Sequence, residues 1–134
     1  MFADPRVANI KDIINTYKKR EPFRPFAPIV LEECVNDIFD MPEGITRSPY
    51  MQYTAKCKMP ELYPGIVHVD GTSRVQTVGK HDDPDVRNML EGWFLRTGCP
   101  VLLNTSLNIK SEPLVNSKED AKAFEQKHKV KVYS

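Results

Sequence analysis

The sequence predicts an α/β or α+β fold built on a mixed sheet, and three observations carry that prediction. Apolar residues recur at helical spacing near the N-terminus and again between Pro84 and Gly98. From Pro49 to Lys58 the chain alternates instead, with Met51, Tyr53, Ala55 and Cys57 on one side. Short β-rich runs lie between the helical segments, so helices and strands interleave along the chain.

Taken in order, Asp4-Pro5 reads as a helix opening, an N-cap acceptor followed by proline at the first helical position. Val7, Ile10, Ile13, Ile14 and Tyr17 give that helix its apolar stripe, over residues 5–20. Pro22, Pro25 and Pro28 forbid its continuation and leave "EPFRPFAP" extended. "IVLEE" reads as a strand, "CVNDIFD" as a short helix and "MPEGITRS" as a loop. After the strand from Pro49 to Lys58, "YPG" turns the chain, and "IVHVD" and "SRVQTV" read as two short strands around "DGT". Asp82 or Asp83 with Pro84 opens a second helix. Its buried stripe is Val86, Met89, Leu90, Trp93 and Phe94, and Gly98 closes it. "PVLLN" is a short buried strand. Ser117 with Asp120 resembles a capping box for a last helix reaching about His128, and "VKVYS" follows as an edge strand.

Composition narrows the function classes. The 134 residues suit one domain with a single core, and 40% apolar with 28% charged residues is ordinary for a folded soluble chain. A net charge of +1 supplies no global attraction to nucleic acid or membrane, so electrostatic function must come from local clusters. Cys34, Cys57 and Cys99 are odd in number and widely spaced, against a disulfide framework or a zinc site. No metal-ligand spacing joins His68, His81 and His128. No apolar run approaches the ~18 residues of a membrane span, and the expected compartment is cytoplasmic.

Three clusters carry residue types suited to chemistry. In "KKREPFRPFAP" the bases at a helix end complement its dipole, and a solvated helix end with a proline-stiffened loop is the ordinary reading. The same stiffness could aim Lys18, Arg20 and Arg24 at phosphate oxygens, which arginine grips in a bidentate fork. In "HVDGTSRVQTV" an Asp-Gly hairpin leaves Arg74 as a plain strand residue. The functional alternative puts Arg74 and Gln76 on one face, with His68 and Asp70 nearby. In "VLLNTSLNIKSEP" the side chains of Asn104, Thr105, Ser106 and Asn108 either shape a turn or line an anion site assisted by backbone N–H groups. Neither familiar glycine-rich nucleotide loop is present, and no nucleophile elbow occurs.

In this order, "DPR", "IKDIIN", "KKREPFRPFAP", "SPYM", "HVDGTSRVQTV", "TGCPVLLNTSLNIKSEPLV" and "SKEDAKAF" resemble the C-terminal domain of the O-carbamoyltransferases of antibiotic and nodulation-factor biosynthesis, from about Asp4 to Phe124. The resemblance implies a YrdC-like fold, a twisted open mixed sheet flanked by helices. It implies ATP and carbamoyl phosphate as small-molecule substrates, with Mg²⁺ accompanying the nucleotide, and carbamoyl adenylate as the product. It implies Lys18, Arg24 and Arg74 as catalytic groups, and Lys18, Arg20, Arg24, Arg74, Asn104, Thr105, Ser106 and Asn108 as the nucleotide-binding set, with no metal ligands in the chain. It also implies a partner: an N-terminal transferase half with the actin-like ATPase fold, on a separate chain or as a missing part of the same protein, which passes the carbamoyl group to a hydroxyl acceptor.

On that resemblance residues 1–134 form one carbamoyltransferase C-terminal domain with the N-terminal transferase domain absent, and the full transfer is not expected of this chain alone. A split-gene subunit, an excised domain and a shortened relict all remain open. Ser111 stands where the family usually has glycine; at φ > 0 a serine there costs about 1 kcal/mol. Leu107, where phenylalanine is common, is a milder change. The alternative function is a non-catalytic nucleotide- or anion-binding module that docks or regulates. RNA binding is the weakest reading, because no basic-aromatic stripe accompanies the near-neutral charge.

Overall fold

Two strands more than forty residues apart in the chain lie side by side and parallel at the centre of the sheet. They are β2 (Ala27–Leu31) and β5 (Thr72–Val78), registered as Ile29 with Gln76 and Leu31 with Val78. This computed structural model describes residues 1–18, 26–106 and 118–128. The other strands are β1 (Phe2–Ala3), β3 (Phe39–Asp40), β4 (Tyr53–Cys57) and β6 (Val101–Asn104), and the order across the sheet is β1-β6-β2-β5-β4-β3. Every pairing but the central one is antiparallel, which makes the open sheet mixed, as expected. The helices are α1 (Ile10–Lys18), α2 (Val35–Ile38), α3 (Pro84–Thr97) and α4 (Lys118–His128).

The sheet has two covered regions, on opposite faces. On one face Val30, Val75, Val101 and Leu103 are fully buried, with Ile14 of α1, Val35 and Ile38 of α2, and Tyr63 and Ile66 packed over them. Removing one such side chain from water is worth about 1.5–3 kcal/mol, so this layer dominates stability. On the other face Ile29, Leu31, Val78 and Leu102 pack against Leu90 of α3, with Val86, Trp93 and Phe94 at the margins. Of the two candidates Asp82 and Asp83, Asp83 caps α3 by accepting from the N–H groups of Asp85 and Val86, and Gly98 closes it at φ 71°, as predicted.

Several expectations need correction. The first helix starts at Ile10 rather than residue 5. Asp4 does not cap a helix, because its carboxylate takes the Arg6 backbone N–H and side chain, each at 2.9 Å. The Pro5 carbonyl meanwhile accepts from Gly65 N–H at 2.9 Å, so the chain turns before the helix can begin. That approach favours glycine, since a Cβ at residue 65 would lie 2.6 Å from Ile10 Cγ2 as well as 3.0 Å from the Pro5 backbone. Ile14 is buried, but Val7 and Ile13 of the expected stripe are 40% and 49% exposed.

"IVLEE" is displaced to Ala27–Leu31, with a 3-10 turn at Glu32–Cys34. "CVNDIFD" divides into α2 and β3. Only Tyr53–Cys57 of the long alternating stretch is strand, because Met51 sits at φ 55°, a turn conformation that breaks the ladder. "IVHVD" forms no strand. Its polar groups bond to turns and side chains: Ile66 O accepts from Ser73 Oγ, Val67 O from Lys11 Nζ, and His68 O from Gly71 N–H. Met89 lies on the outer side of α3, and Arg87 takes a buried place instead. The edge strand "VKVYS", together with Ser117, lies outside the described residues.

Tyr63, 4% exposed among core side chains, has its phenol pushed up to about 12 by burial. The unfolded chain gives up that proton near its ordinary value of 10.0, while the folded chain retains it. Stability should therefore be full below pH 10 and fall as pH rises towards 12. Denaturant midpoints across this range should show a flatter decline in Tyr63→Phe.

Candidate functional site

Strand register places the chemistry on the face that α3 covers only in part. Parity puts Ala27, Thr72, Arg74, Gln76 and Asn104 on the same face as Ile29, Val78 and Leu102. Asn104 pairs with Ala27, Arg74 pairs with Thr54, and the β2–β5 register continued by two residues sets Ala27 beside Arg74. A row Asn104–Ala27–Arg74–Thr54 thus crosses four strands, with Asn104 and Arg74 about 10 Å apart at two strand spacings. Alanine between the two polar residues leaves room above the sheet.

Beside Ala27 and Arg74 lies an open cleft of about 320 Å³, whose lining does not reach Asn104. Ala27, Thr54, Thr72 and Arg74 form its strand floor, and His68 and Asp70 rise from the turn before β5. Phe26 and Met51 are also in its lining. Arg74 is exposed, and among the described residues no carboxylate forms a salt bridge with it. Lys56, opposite Thr72 on β4, adds positive charge to the same face. An arginine without a counter-ion beside hydroxyl groups is suited to an anion, which it can grip in two parallel hydrogen bonds.

Asp70 is the carboxylate in this lining, and it is held in place. Its Oδ1 accepts from Thr72 N–H at 3.0 Å and from Thr72 Oγ1 at 2.6 Å, with His68 Nδ1 3.6 Å away. The two Thr72 bonds hold its carboxyl below the usual carboxylate range. Gly71, at φ 82°, supplies the left-handed residue this turn needs. The Asp-Gly turn and the placement of His68, Asp70 and Arg74 around one cleft therefore coexist.

The polar end of β6 is more committed than the sequence suggested. Asn104 Nδ2 donates to Gln76 Oε1 at 3.0 Å, and Gln76 Nε2 reaches Pro49 O at 3.4 Å. Thr105 N–H donates to Met1 O at 3.0 Å, so that amide is not available to an anion nest. Asn104 is half-buried, Thr105 also, and Ser106 is exposed. The structure thus joins Asn104 to Gln76, the neighbour of Arg74 two residues along β5. Arg20, Arg24, Asn108 and Ser111, and the side chain of Lys18 at the end of α1, lie outside the described residues.

Sequence reasoning missed Ala27, Thr54 and Thr72, whose relevance depends on which strands are neighbours. It also missed Arg87, only 5% exposed. This second arginine is structural: its guanidinium pairs with Glu33, Glu91 at 2.6 Å and the Val78 carbonyl at 2.9 Å. It ties α3 to the end of β5 and to the turn after β2, and it holds the Glu33 carboxyl below the usual range.

The whole chain, residues 1–134, matches the family model described as the carbamoyltransferase C-terminus. The chain belongs to that family, as a carbamoyltransferase C-terminal domain. It is 42% identical over 124 residues to nodulation protein NolO of Bradyrhizobium diazoefficiens, an overlap of 90% of this chain and 23% of that protein. It is 43% identical over 124 residues to nodulation protein NolNO of Sinorhizobium fredii, covering 90% of this chain and 18% of the relative. With the 3'-hydroxymethylcephem-O-carbamoyltransferase of Amycolatopsis lactamdurans it shares 33% identity over 120 residues, 90% of this chain and 22% of that enzyme. The chain therefore spans about a fifth of the length of these relatives.

The two arginines should separate in a stability measurement. Arg87→Ala should lower unfolding free energy by about 2–3 kcal/mol, through its lost hydrogen bonds and contacts. Arg74→Ala should stay within about 0.5 kcal/mol of the parent, as an exposed residue with no salt bridge among the described residues does. Denaturant titration of both variants reads the difference.

Proposed function

We propose that this chain is the activating part of an O-carbamoyltransferase, binding ATP and carbamoyl phosphate on the open sheet face and forming carbamoyl adenylate. The observation that carries this reading is Arg74, exposed in the cleft without a carboxylate partner among the described residues, in a chain of the carbamoyltransferase C-terminal family. Its relatives include a protein named as a carbamoyltransferase acting on a hydroxymethylcephem.

The chemistry asks for what this face offers. Water first hydrolyses carbamoyl phosphate to carbamate and inorganic phosphate; a carbamate oxygen then attacks the α-phosphorus of ATP, and the bond to pyrophosphate breaks. Nucleophile and electrophile are both anionic, so the barrier is chiefly electrostatic, and fixed cations with short neutral donors lower it. Arg74 supplies the fixed charge and Thr54 a hydroxyl donor on its own face, while the Thr72 hydroxyl is committed to Asp70. Asn104, held by Gln76, lies on the same sheet face two strands away, outside the cleft's lining. Lys18, Arg20, Arg24, Thr105, Ser106 and Asn108 complete the set that family membership suggests.

Among the described residues no group of three metal-ligating side chains occurs, and the cleft offers the single carboxylate of Asp70. Mg²⁺ therefore fits this site only as an ion held mainly by the nucleotide's phosphates and water, where it would share their charge. Transfer to a hydroxyl acceptor is assigned to an N-terminal partner portion, whose place in the relatives' length this chain does not occupy. A cytoplasmic setting suits a reaction that consumes ATP.

Calorimetry with ATP should show binding by the parent chain and at least tenfold weaker binding by Arg74→Ala. Incubation with ATP and carbamoyl phosphate should release pyrophosphate. Absence of nucleotide binding by the folded chain contradicts the reading. Binding without pyrophosphate release, even with the partner portion present, assigns the chain to a non-catalytic docking or regulatory role.

A further inference from the structure

We propose that Asp70 is a specificity-determining residue that reads the amino group of the carbamoyl substrate, while Arg74 takes its phosphate. This rests on the function proposed above and assigns the orientation of the substrate within the same cleft. The cleft is polarised. Arg74 provides a guanidinium on β5, and Asp70 provides a carboxylate at the turn that precedes the strand. Thr72, which holds Asp70, lies two residues before Arg74 on the same sheet face, a backbone spacing of about 7 Å along the strand. A small molecule with an anion at one end and hydrogen-bond donors at the other matches that pattern.

The carboxylate is prepared for such a donor. Both Thr72 bonds and the His68 approach fall on Oδ1. Oδ2 carries no hydrogen bond among the described residues, and the side chain remains 62% exposed. The Thr72 bonds therefore fix the orientation of Asp70 while leaving one oxygen able to accept. A carboxylate repels phosphate, so at an anion site it is useful only towards a part of the ligand that donates. In carbamoyl phosphate that part is the NH₂ group. Acetyl phosphate presents a methyl group of the same size, which would leave Oδ2 desolvated and unpaired. Sites that bond a substrate N–H discriminate strongly against the analogue lacking it, and partial solvent access here reduces the expected ratio to about tenfold.

The test uses stable analogues that differ in this group alone: phosphonoacetamide, with an amide NH₂, and acetonylphosphonate, with a methyl ketone. Isothermal titration of the whole chain with each, and with inorganic phosphate, gives three affinities. The parent should favour phosphonoacetamide about tenfold. Asp70→Asn retains an acceptor for Thr72 but replaces the other oxygen with a donor, so the ratio should fall to about threefold or less. Its inorganic phosphate affinity should be unchanged or improved, and an unchanged circular dichroism spectrum would show that the fold persists. Equal affinity of the parent for the two analogues, or undiminished preference in folded Asp70→Asn, overturns the role of Asp70 while leaving the phosphate site intact. Failure of the parent to bind any of the three overturns the phosphate site and this inference together.

Discussion

The parallel pairing of β2 with β5 is the constraint on which the rest of the structure depends. It joins segments remote in sequence, and its register decides which side chains share a face. Ile29 beside Gln76 sends Val30 and Val75 into the large core and leaves Ala27 beside Arg74 on the opposite face. A slip of one residue would exchange the faces, burying Arg74 and exposing Val75. Hydrophobic burial of Val30, Val75, Val101 and Leu103 therefore fixes the position of the candidate site as well as the fold.

The contrast between Arg74 and Arg87 separates a candidate binding group from a structural one. Arg87 is buried and surrounded by acceptors, so its charge is spent inside the protein on holding α3 to the sheet. Arg74 is on a face with Lys56 and hydroxyl groups, its charge directed to solvent. Only the second arrangement leaves electrostatic free energy for a ligand. Near a protein surface a unit charge pair at contact is worth roughly 4 kcal/mol before desolvation, enough to matter to a phosphate.

Much of this was legible in the sequence, where local chemistry decided the outcome. Asp83, Pro84 and Gly98 bounded α3 because caps act over one turn. The buried run at Val101 and the alternation at Tyr53–Cys57 gave two strands. What failed was set by distant partners. Asp4 looked like a helix cap until Arg6 claimed it, and "IVHVD" looked like a strand until Lys11 and Ser73 took its carbonyls. The site divided in the same way. Arg74, His68 and Asp70 stood close together in one motif and could be grouped by reading, whereas Thr54 and Ala27 reach Arg74 only through strand neighbours. Arg87 carried no signal, because a buried arginine and an exposed one look alike in a helical pattern.

The central claim is that anions bind over the β5 row at Arg74. Backbone amide chemical shifts measured while ATP is titrated into the labelled chain test it most directly. The claim predicts the largest saturable shifts at Ala27, Thr54, Thr72 and Arg74. It is contradicted by shifts concentrated instead at Arg47, Lys80 and His81, which line a separate charged groove at the opposite end of β5.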